Sequence, residues 1–309
     1  MNEFLKITNS KLAAIQDSGR YGFEHHGISV NGAVDQFAYL AGNLLAGNEF
    51  SQPVIEVTAF DFSMKSSVDI PVCITGAPAD VSIDDKPVKM WENAILPADK
   101  VLSIKKIRQG LKVYIAVGGE LDVPSIYGSS SLDVVANFGK KLFSGEIIRL
   151  KNINSIDEFT KNPPSVKGIP QYGSPWNIRI CDGPESEVFT ENFDYFYNSS
   201  YKVSTDSNHI GIRLKGPRLS GYSPTEVLSK GVSIGAVEVI PTGQLIILHR
   251  GRSVTAGYPV IGVVASVDLG LIGQARPNDD VHFTRISVDE ATELYKNQFE
   301  QFSYLQNQL

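Results

Sequence analysis

The sequence predicts a mainly β protein with a few helices, divided into two β-rich domains. Three observations carry this reading. Short runs rich in Val and Ile recur along all 309 residues, each bounded by Gly, Pro, Asp or Asn. Apolar residues at helical spacing occur in only a few segments. A polar stretch with three prolines, KNINSIDEFTKNPPSVKGIPQYGS, interrupts the chain near its middle. Many short strands joined by Gly and Pro turns belong to sandwiches or barrels.

In the first half the strand candidates are 4–8, 54–59, 68–75, 101–106 and 111–117. Ile83-Asp84-Asp85-Lys86-Pro87-Val88 reads as a tight turn between two strands. In the second half they are 177–181, 201–204, 210–215, 245–249, 260–267 and 281–286. Residues 36–46 form the clearest helix candidate, with Phe37, Leu40, Ala41, Leu44 and Leu45 on one face. Asp35 is placed to cap it and Gly47-Asn48 to stop it. Pro184 opens a second helical segment, EVFTENFDYFY, with Val188, Phe189, Asn192, Phe193 and Phe196 on one face. Residues 288–304 form a third, charged helix, with Ala291, Leu294, Tyr295 and Phe302 expected inward. The proline-bearing stretch, 151–174, reads as a linker, giving a domain at 1–160 with a polar loop and helix and a domain at 172–309 ending in a helix.

Composition excludes several function classes. The net charge is −6, and no basic stripe suggests nucleic acid or an anionic membrane as a partner. No apolar run reaches the ~18–20 residues of a membrane span. The N-terminus lacks the pattern of a secretion signal, and a cytoplasmic address is expected. Cys73 and Cys181 lie in or beside apolar strand-like runs and are expected to be buried free thiols. The sequence has no phosphate-binding P-loop, no dinucleotide fingerprint and no His or Cys spacing for zinc. Gly231-Val232-Ser233-Ile234-Gly235 matches the nucleophile-elbow pattern. The segment after it reads as strand and turn rather than the helix an elbow requires, so a tight bend is the expectation.

The richest stretch is Gln16 to Glu56, dense in Gly, Asp, Arg, His and Asn. Asp17-Ser18-Gly19-Arg20 is either a turn locked by its Asp and Arg or a ligand contact, since Arg offers a planar fork to carboxylate or phosphate. His26 is a candidate acid or base, or a turn-holding hydrogen bond. Asp35 is a helix cap or a ligand group, and Asn43, offset from the apolar stripe, is placed to hold a neighbouring loop. Glu56, in an otherwise apolar strand, is functional or sits in an ion pair.

An ordered set of short motifs resembles the C-subunit family of 5-oxoprolinases, also called the biotin-dependent carboxyltransferase or allophanate hydrolase subunit 2-like family. The N-terminal part of the set is Gln16-Asp17-x-Gly19-Arg20-x-Gly22, Gly32-Ala33-x-Asp35, Ala41-x-Asn43-x-Leu45-x-Gly47-Asn48 and Ile55-Glu56-Val57-Thr58. It continues through Gly118-Gly119, Asp122-Val123-Pro124, Gly128-Ser129, Asp182-Gly183-Pro184-Glu185 and Ser207-Asn208-x-x-Gly211-x-Arg213-Leu214. Gly216, Gly243-Gln244, Gly257-Tyr258-Pro259-x-Ile261, Asp268-Leu269 and Gln274-x-Arg276-Pro277 complete it.

The resemblance implies two β-rich domains with cyclophilin-like barrels, and two partner chains, the A and B subunits of 5-oxoprolinase. It implies an ATP-dependent hydrolase of a cyclic amide, opening 5-oxoproline to glutamate. ATP with magnesium is then expected at the level of the complex. Biotin is not expected on this chain, so any carboxybiotin would arrive on another protein. The implied catalytic residues are Asp17, Arg20, His26 and Glu56; the implied substrate- or nucleotide-binding residues are Gly32, Asp35, Asn43, Arg213, Gly257 and Tyr258. A regulatory or binding paralogue and a biotin-linked carboxyltransferase module are the alternative readings. The sequence departs from the family pattern at Gly128-Ser129-Ser130-Ser131, which lacks an Arg, and at Ser229-Lys230-Gly231, where Lys replaces Glu. It departs again at Val237-Glu238-Val239-Ile240, in place of Ile-Gln-Val-Pro, and along Gly251–Ala256, where Asp, Gln, Thr and a Gly of the pattern are missing.

Overall fold

The computed structural model describes residues 3–161, 164–219 and 227–306. It divides into two units. The first comprises Met1–Arg20, Asp35–Gln171 and Glu300–Leu309; the second comprises Tyr21–Val34 and Tyr172–Phe299. The break in sequence thus falls at Gln171, inside the polar stretch, and two segments sit with the unit of the other half. The polar stretch also holds a helix of its own, Ile156–Lys161, with Phe159 buried.

The first unit is built from two sheets. One has seven strands in the order Glu120–Leu121, Ile147–Lys151, Phe4–Ser10, Phe62–Ser66, Val101–Ile107, Ala79–Ile83, Lys86–Pro87. The other has six, in the order Lys141–Leu142, Ala13–Gln16, Val54–Thr58, Lys112–Val117, Ile70–Gly76, Asn93–Leu96. Leu5, Ile7, Met64 and Leu102 from one sheet and Ile55, Val57, Ile74 and Ile115 from the other share a single core. Phe62–Ser66 alternates buried and half-buried residues, as a strand with one core face does. Ile70–Gly76 is buried throughout, because helix Gln36–Leu45 covers its second face: Thr75 Oγ1 donates to Ala38 O at 2.7 Å. A Cβ on Gly42 would meet Thr75 Oγ1 at 3.1 Å, so the helix approaches the sheet closely there. Asp84 and Asp85, at φ 44° and 63°, make the hairpin turn read from the sequence.

The second unit is a closed barrel. Its strands run Trp176–Asp182, Val260–Val264, Ala236–Val239, Leu245–Leu248, Gly211–Lys215, Ser200–Val203, Asp280–Arg285, and the last pairs in parallel with the first. Closure removes the free strand edges. A two-stranded ribbon, Lys230–Gly231 with Thr255–Ala256, lies outside the barrel order. Ser233 sits in the turn before strand Ala236–Val239, so the elbow-like pattern is a bend and no helix follows it.

Three expectations need correction. The segment after Pro184 is a 3-10 stretch, Ser186–Asn192, broken at Phe189, and only Phe193–Asn198 is α-helical. On the C-terminal helix, Val288–Gln306, Phe302 is buried but Tyr295 is exposed, stacking on Phe299 at 4.7 Å on the helix surface. Both cysteines are free, and Cys73 is buried, but Cys181 is only half-buried. Burial pushes both thiols above their ordinary range, so neither is a ready nucleophile.

Candidate functional site

The polar N-terminal stretch splits between the two units. Asp17 and Arg20 stay with the first, and both grip one loop, residues 126–131. The Asp17 carboxylate accepts from Gly19 N at 2.8 Å, Ser129 Oγ at 2.6 Å, Ser130 N at 2.6 Å and Ser131 Oγ at 2.5 Å. Arg20 takes the carbonyls of the same loop: Nε donates to Ile126 O at 3.0 Å, and Nη2 to Ser131 O at 2.5 Å and Ser129 O at 3.3 Å. Its guanidinium is fully buried and lies 5.3 Å from the Phe138 ring centre. Burial lowers its pKa, against the opposing charges of Asp17 and Asp133. The three serines at the motif where the family pattern has an Arg thus supply three of the four hydrogen bonds to Asp17, and Gly19 N supplies the fourth. The sequence signal for them was the triple-serine run itself.

A second buried network surrounds Glu56, also in the first unit. Glu56 pairs with Lys112 Nζ at 2.5 Å, and Lys112 reaches Thr58 Oγ1 at 3.1 Å. The Tyr114 hydroxyl, hydrogen-bonded to Glu56, accepts from Asp35 N at 2.9 Å. Burial, then the charges of Glu56 and Asp35, push the Tyr114 hydroxyl well above its ordinary range, so it stays protonated. Asp35 caps the helix, accepting from Ala38 N at 3.0 Å. Asn43 holds the following loop: Nδ2 donates to Gln52 O at 2.9 Å, and Oδ1 accepts from Asn48 Nδ2 at 3.0 Å.

The remaining predicted residues belong to the second unit. His26 is exposed in a 3-10 turn, Glu24–His26, its ring 3.9 Å from that of His25. Gly32 has φ 89°, which only a residue without a Cβ adopts easily. Arg213 is exposed on strand Gly211–Lys215. Gly257 lies against Val227 O and Ser229 Oγ, each 3.2 Å from a Cβ built there, and Tyr258 is exposed.

Sequence reasoning gave no role to Arg250 and Arg252 of the second unit. Arg250 Nε donates to Asn31 O at 2.6 Å, and its guanidinium lies 5.7 Å from the Tyr21 ring centre. Arg252 is buried; its Nε donates to Val232 O at 2.8 Å, while Ser29 Oγ donates to the Arg252 carbonyl at 2.6 Å. Its Nη1 has no partner among the described residues, and burial lowers its pKa. Arg250 and Arg252 thus seat segment Tyr21–Val34 on the barrel unit. Glu238 is another such residue. It is 3% exposed, its Oε1 has no partner among the described residues, and burial raises its pKa to about 7, against the pull of Lys230.

The protonated form of Glu238 is held more tightly by the folded chain than by the unfolded one. Its contribution to stability therefore falls as pH rises from its ordinary value of 4.5 to about 7. The full loss is about 3 kcal/mol. Glu238→Gln is expected to melt at a higher temperature than the parent at pH 8 and at the same temperature at pH 5, by calorimetry in matched buffers.

The fold and these sites define a two-unit β protein of the carboxyltransferase class: residues 26–285 match the model for the carboxyltransferase domain, subdomain A and B, and the chain belongs to that family. It is 32% identical to the C subunit of Escherichia coli 5-oxoprolinase over 305 residues, covering 97% of each chain. It is 27% identical to urea amidolyase of Saccharomyces cerevisiae over 309 residues, covering 92% of this chain and 17% of the relative. The crystal structure of Kluyveromyces lactis urea carboxylase superposes with a TM-score of 0.87 at 22% identity, over 98% of this chain and 29% of that one, which establishes the shared fold.

Two observations bear on the wider expectations. The sequence does contain a Met-Lys dipeptide, Met64-Lys65, in strand Phe62–Ser66, with Met64 fully buried and Lys65 Nζ 3.4 Å from Asp99. Among the described residues, no helix is long and apolar enough to cross a membrane.

Proposed function

We propose that the chain is the C subunit of an ATP-dependent 5-oxoprolinase and works with A and B partner chains to convert 5-oxoproline to glutamate. The full-length correspondence supports this reading: 97% of this chain and 97% of its Escherichia coli relative align, whereas urea amidolyase is matched over 17% of its length. A lactam is a poor electrophile. Phosphoryl transfer from ATP to its carbonyl oxygen releases ADP and activates the carbonyl carbon; one water adds there and the ring C–N bond breaks with protonation of the nitrogen, leaving an acyl phosphate that a second water hydrolyses to glutamate and phosphate.

On this reading His26 and Arg213, exposed on the second unit, are the side chains positioned to meet the phosphate or carboxylate of a substrate held with a partner chain. Gly257 and Tyr258 lie at the surface of the same unit, and Gly32 is buried within it. Asp17, Arg20, Asp35, Asn43 and Glu56 act from inside the first unit by fixing loop 126–131, the helix start and the central strands. ATP enters with the complex. Among the described residues no three His, Cys, Asp or Glu side chains are grouped to hold a metal ion; magnesium would enter with ATP, at the level of the complex.

The test is reconstitution. Co-purified A, B and C chains are expected to hydrolyse ATP only when 5-oxoproline is added, and omission of this chain should return the rate to background. If A and B alone turned over as fast, the chain would be a binding or regulatory partner instead.

A further inference from the structure

Three charged side chains of the second unit meet beside the ribbon of Lys230–Gly231 and Thr255–Ala256. The Lys230 ammonium is bonded to Glu185 Oε1. The other oxygen of Glu185, Oε2, accepts from Val260 N at 3.0 Å. Val260 is in turn the cross-strand partner of Glu238. Glu238 therefore sits next to an ion pair without being bonded to it, and its Oε1 has no partner among the described residues.

The surroundings give an ionised Glu238 little help. Val232, Ala236, Leu248 and Val260 form a buried apolar cluster at this face, with Ile246 and Ala256 packed on it. The strands on either side of Glu238 present Ile246 and Val260 as its cross-strand neighbours. Among the described residues, the charge acting on it comes from the ribbon, on Lys230. One ammonium thus serves two carboxyl groups and is bonded to only one of them.

We propose that Lys230 exchanges between Glu185 and Glu238 as Glu238 gains and loses its proton, which makes the ribbon a proton-dependent flap on the outside of the barrel. While Glu238 is protonated it is neutral, its burial is tolerable, and Lys230 stays on Glu185. Loss of the proton leaves a buried anion among apolar side chains, and the ammonium turns to it. The four-carbon stem of lysine allows that turn without breaking the barrel. Glu185 keeps the Val260 N–H and is released from the ribbon.

The ribbon itself is short, and beside it Arg252 Nε anchors Val232 through its carbonyl at 2.8 Å. The ribbon has two residue pairs, and Val232 N donates to Val254 O at 3.1 Å just beyond them. Its neighbour Gly257 lies against Ser229, the residue before Lys230, so displacement of Lys230 reaches Gly257 and the exposed Tyr258. The inference stands whether or not the chain serves a 5-oxoprolinase.

The test uses the full chain with carboxyl-labelled glutamate, followed by carbon NMR across pH, together with amide exchange at Val232. One glutamate carboxyl is expected to titrate near 7 and to vanish in Glu238→Gln. In Lys230→Met its midpoint should rise by about one unit, because the cation that favours ionisation is gone. The protection factor of the Val232 amide should fall between pH 6 and pH 8 by a factor of about three or more in the parent, as local opening becomes easier. It should stay level in Glu238→Gln. A Glu238 midpoint in the ordinary carboxylate range, an unchanged midpoint in Lys230→Met, or equal Val232 behaviour in the parent and Glu238→Gln would each overturn the proposal.

Discussion

Asp17→Ala is expected to lower the stability of the first unit by about 4 kcal/mol, among the largest effects of any single change in the chain. The carboxylate receives four hydrogen bonds, from two backbone amides and two hydroxyls, all within loop 126–131 or the turn after Asp17. Its removal leaves those buried donors without an acceptor. It also leaves Arg20 with less opposing charge, because Asp17 offsets the burial of that guanidinium. Asp17→Asn, which keeps the shape but turns one acceptor into a donor, should recover only part of the loss. Chemical denaturation of both variants measures this. A loss below about 1 kcal/mol, the value of a surface contact, would mean that the loop is held by other means.

Lys112→Met should cost about 3–5 kcal/mol for a different reason. Glu56 has a side chain only 5% exposed, and Lys112 is the cation bonded to it. Without the ammonium, a carboxylate remains inside the sheet beside Tyr114, whose hydroxyl is already pushed upward by the charges of Glu56 and Asp35. The double variant Lys112→Met, Glu56→Gln removes both charges and should regain most of the lost stability, since a buried pair contributes little beyond what neutral packing supplies. A double-mutant cycle on melting curves gives the coupling. If the single and double variants melted together, Glu56 would have to be stabilised by groups other than Lys112.

Much of the fold could be read in the sequence because its strands are rich in Val and Ile and end at turn formers. Ile70–Gly76 and Val101–Ile107 were legible on that basis. Ala13–Gln16 and Asn93–Leu96 were not, since AAIQ and NAIL carry almost no β-branched signal and owe their conformation to pairing with Val54–Thr58 and Ile70–Gly76. Helix Gln36–Leu45 was legible from its cap and stripe. The segment after Pro184 was not, because an apolar face alone does not separate a 3-10 turn broken at Phe189 from an α-helix.

The candidate site was legible in residue type and less so in role. Asp17, Arg20 and Glu56 stand out as polar residues among apolar strands, and the structure places all three inside the first unit with protein partners. Apart from Gly19, the partners named for them lie 56 to 114 residues away in sequence, so no local pattern names them. Glu238 and Lys230 stood out only as departures from a family pattern. That they act on one another follows from the pairing of Glu238 with Val260 and from Glu185, which no spacing reveals.

Segment Tyr21–Val34 has a consequence during synthesis. It belongs to the second unit, and its Ser29 bonds to Arg252, 223 residues further along. A growing chain makes the two flanking pieces of the first unit early, but this loop must wait for its seat. At ~5–20 residues per second the wait is roughly 10 to 45 seconds, long enough for an apolar segment to find the wrong partner. Three glycines, two histidines, Glu24, Ser29 and Asn31 let Tyr21–Val34 remain hydrated through that interval. The polar character of the stretch therefore serves the newborn chain as well as the finished surface.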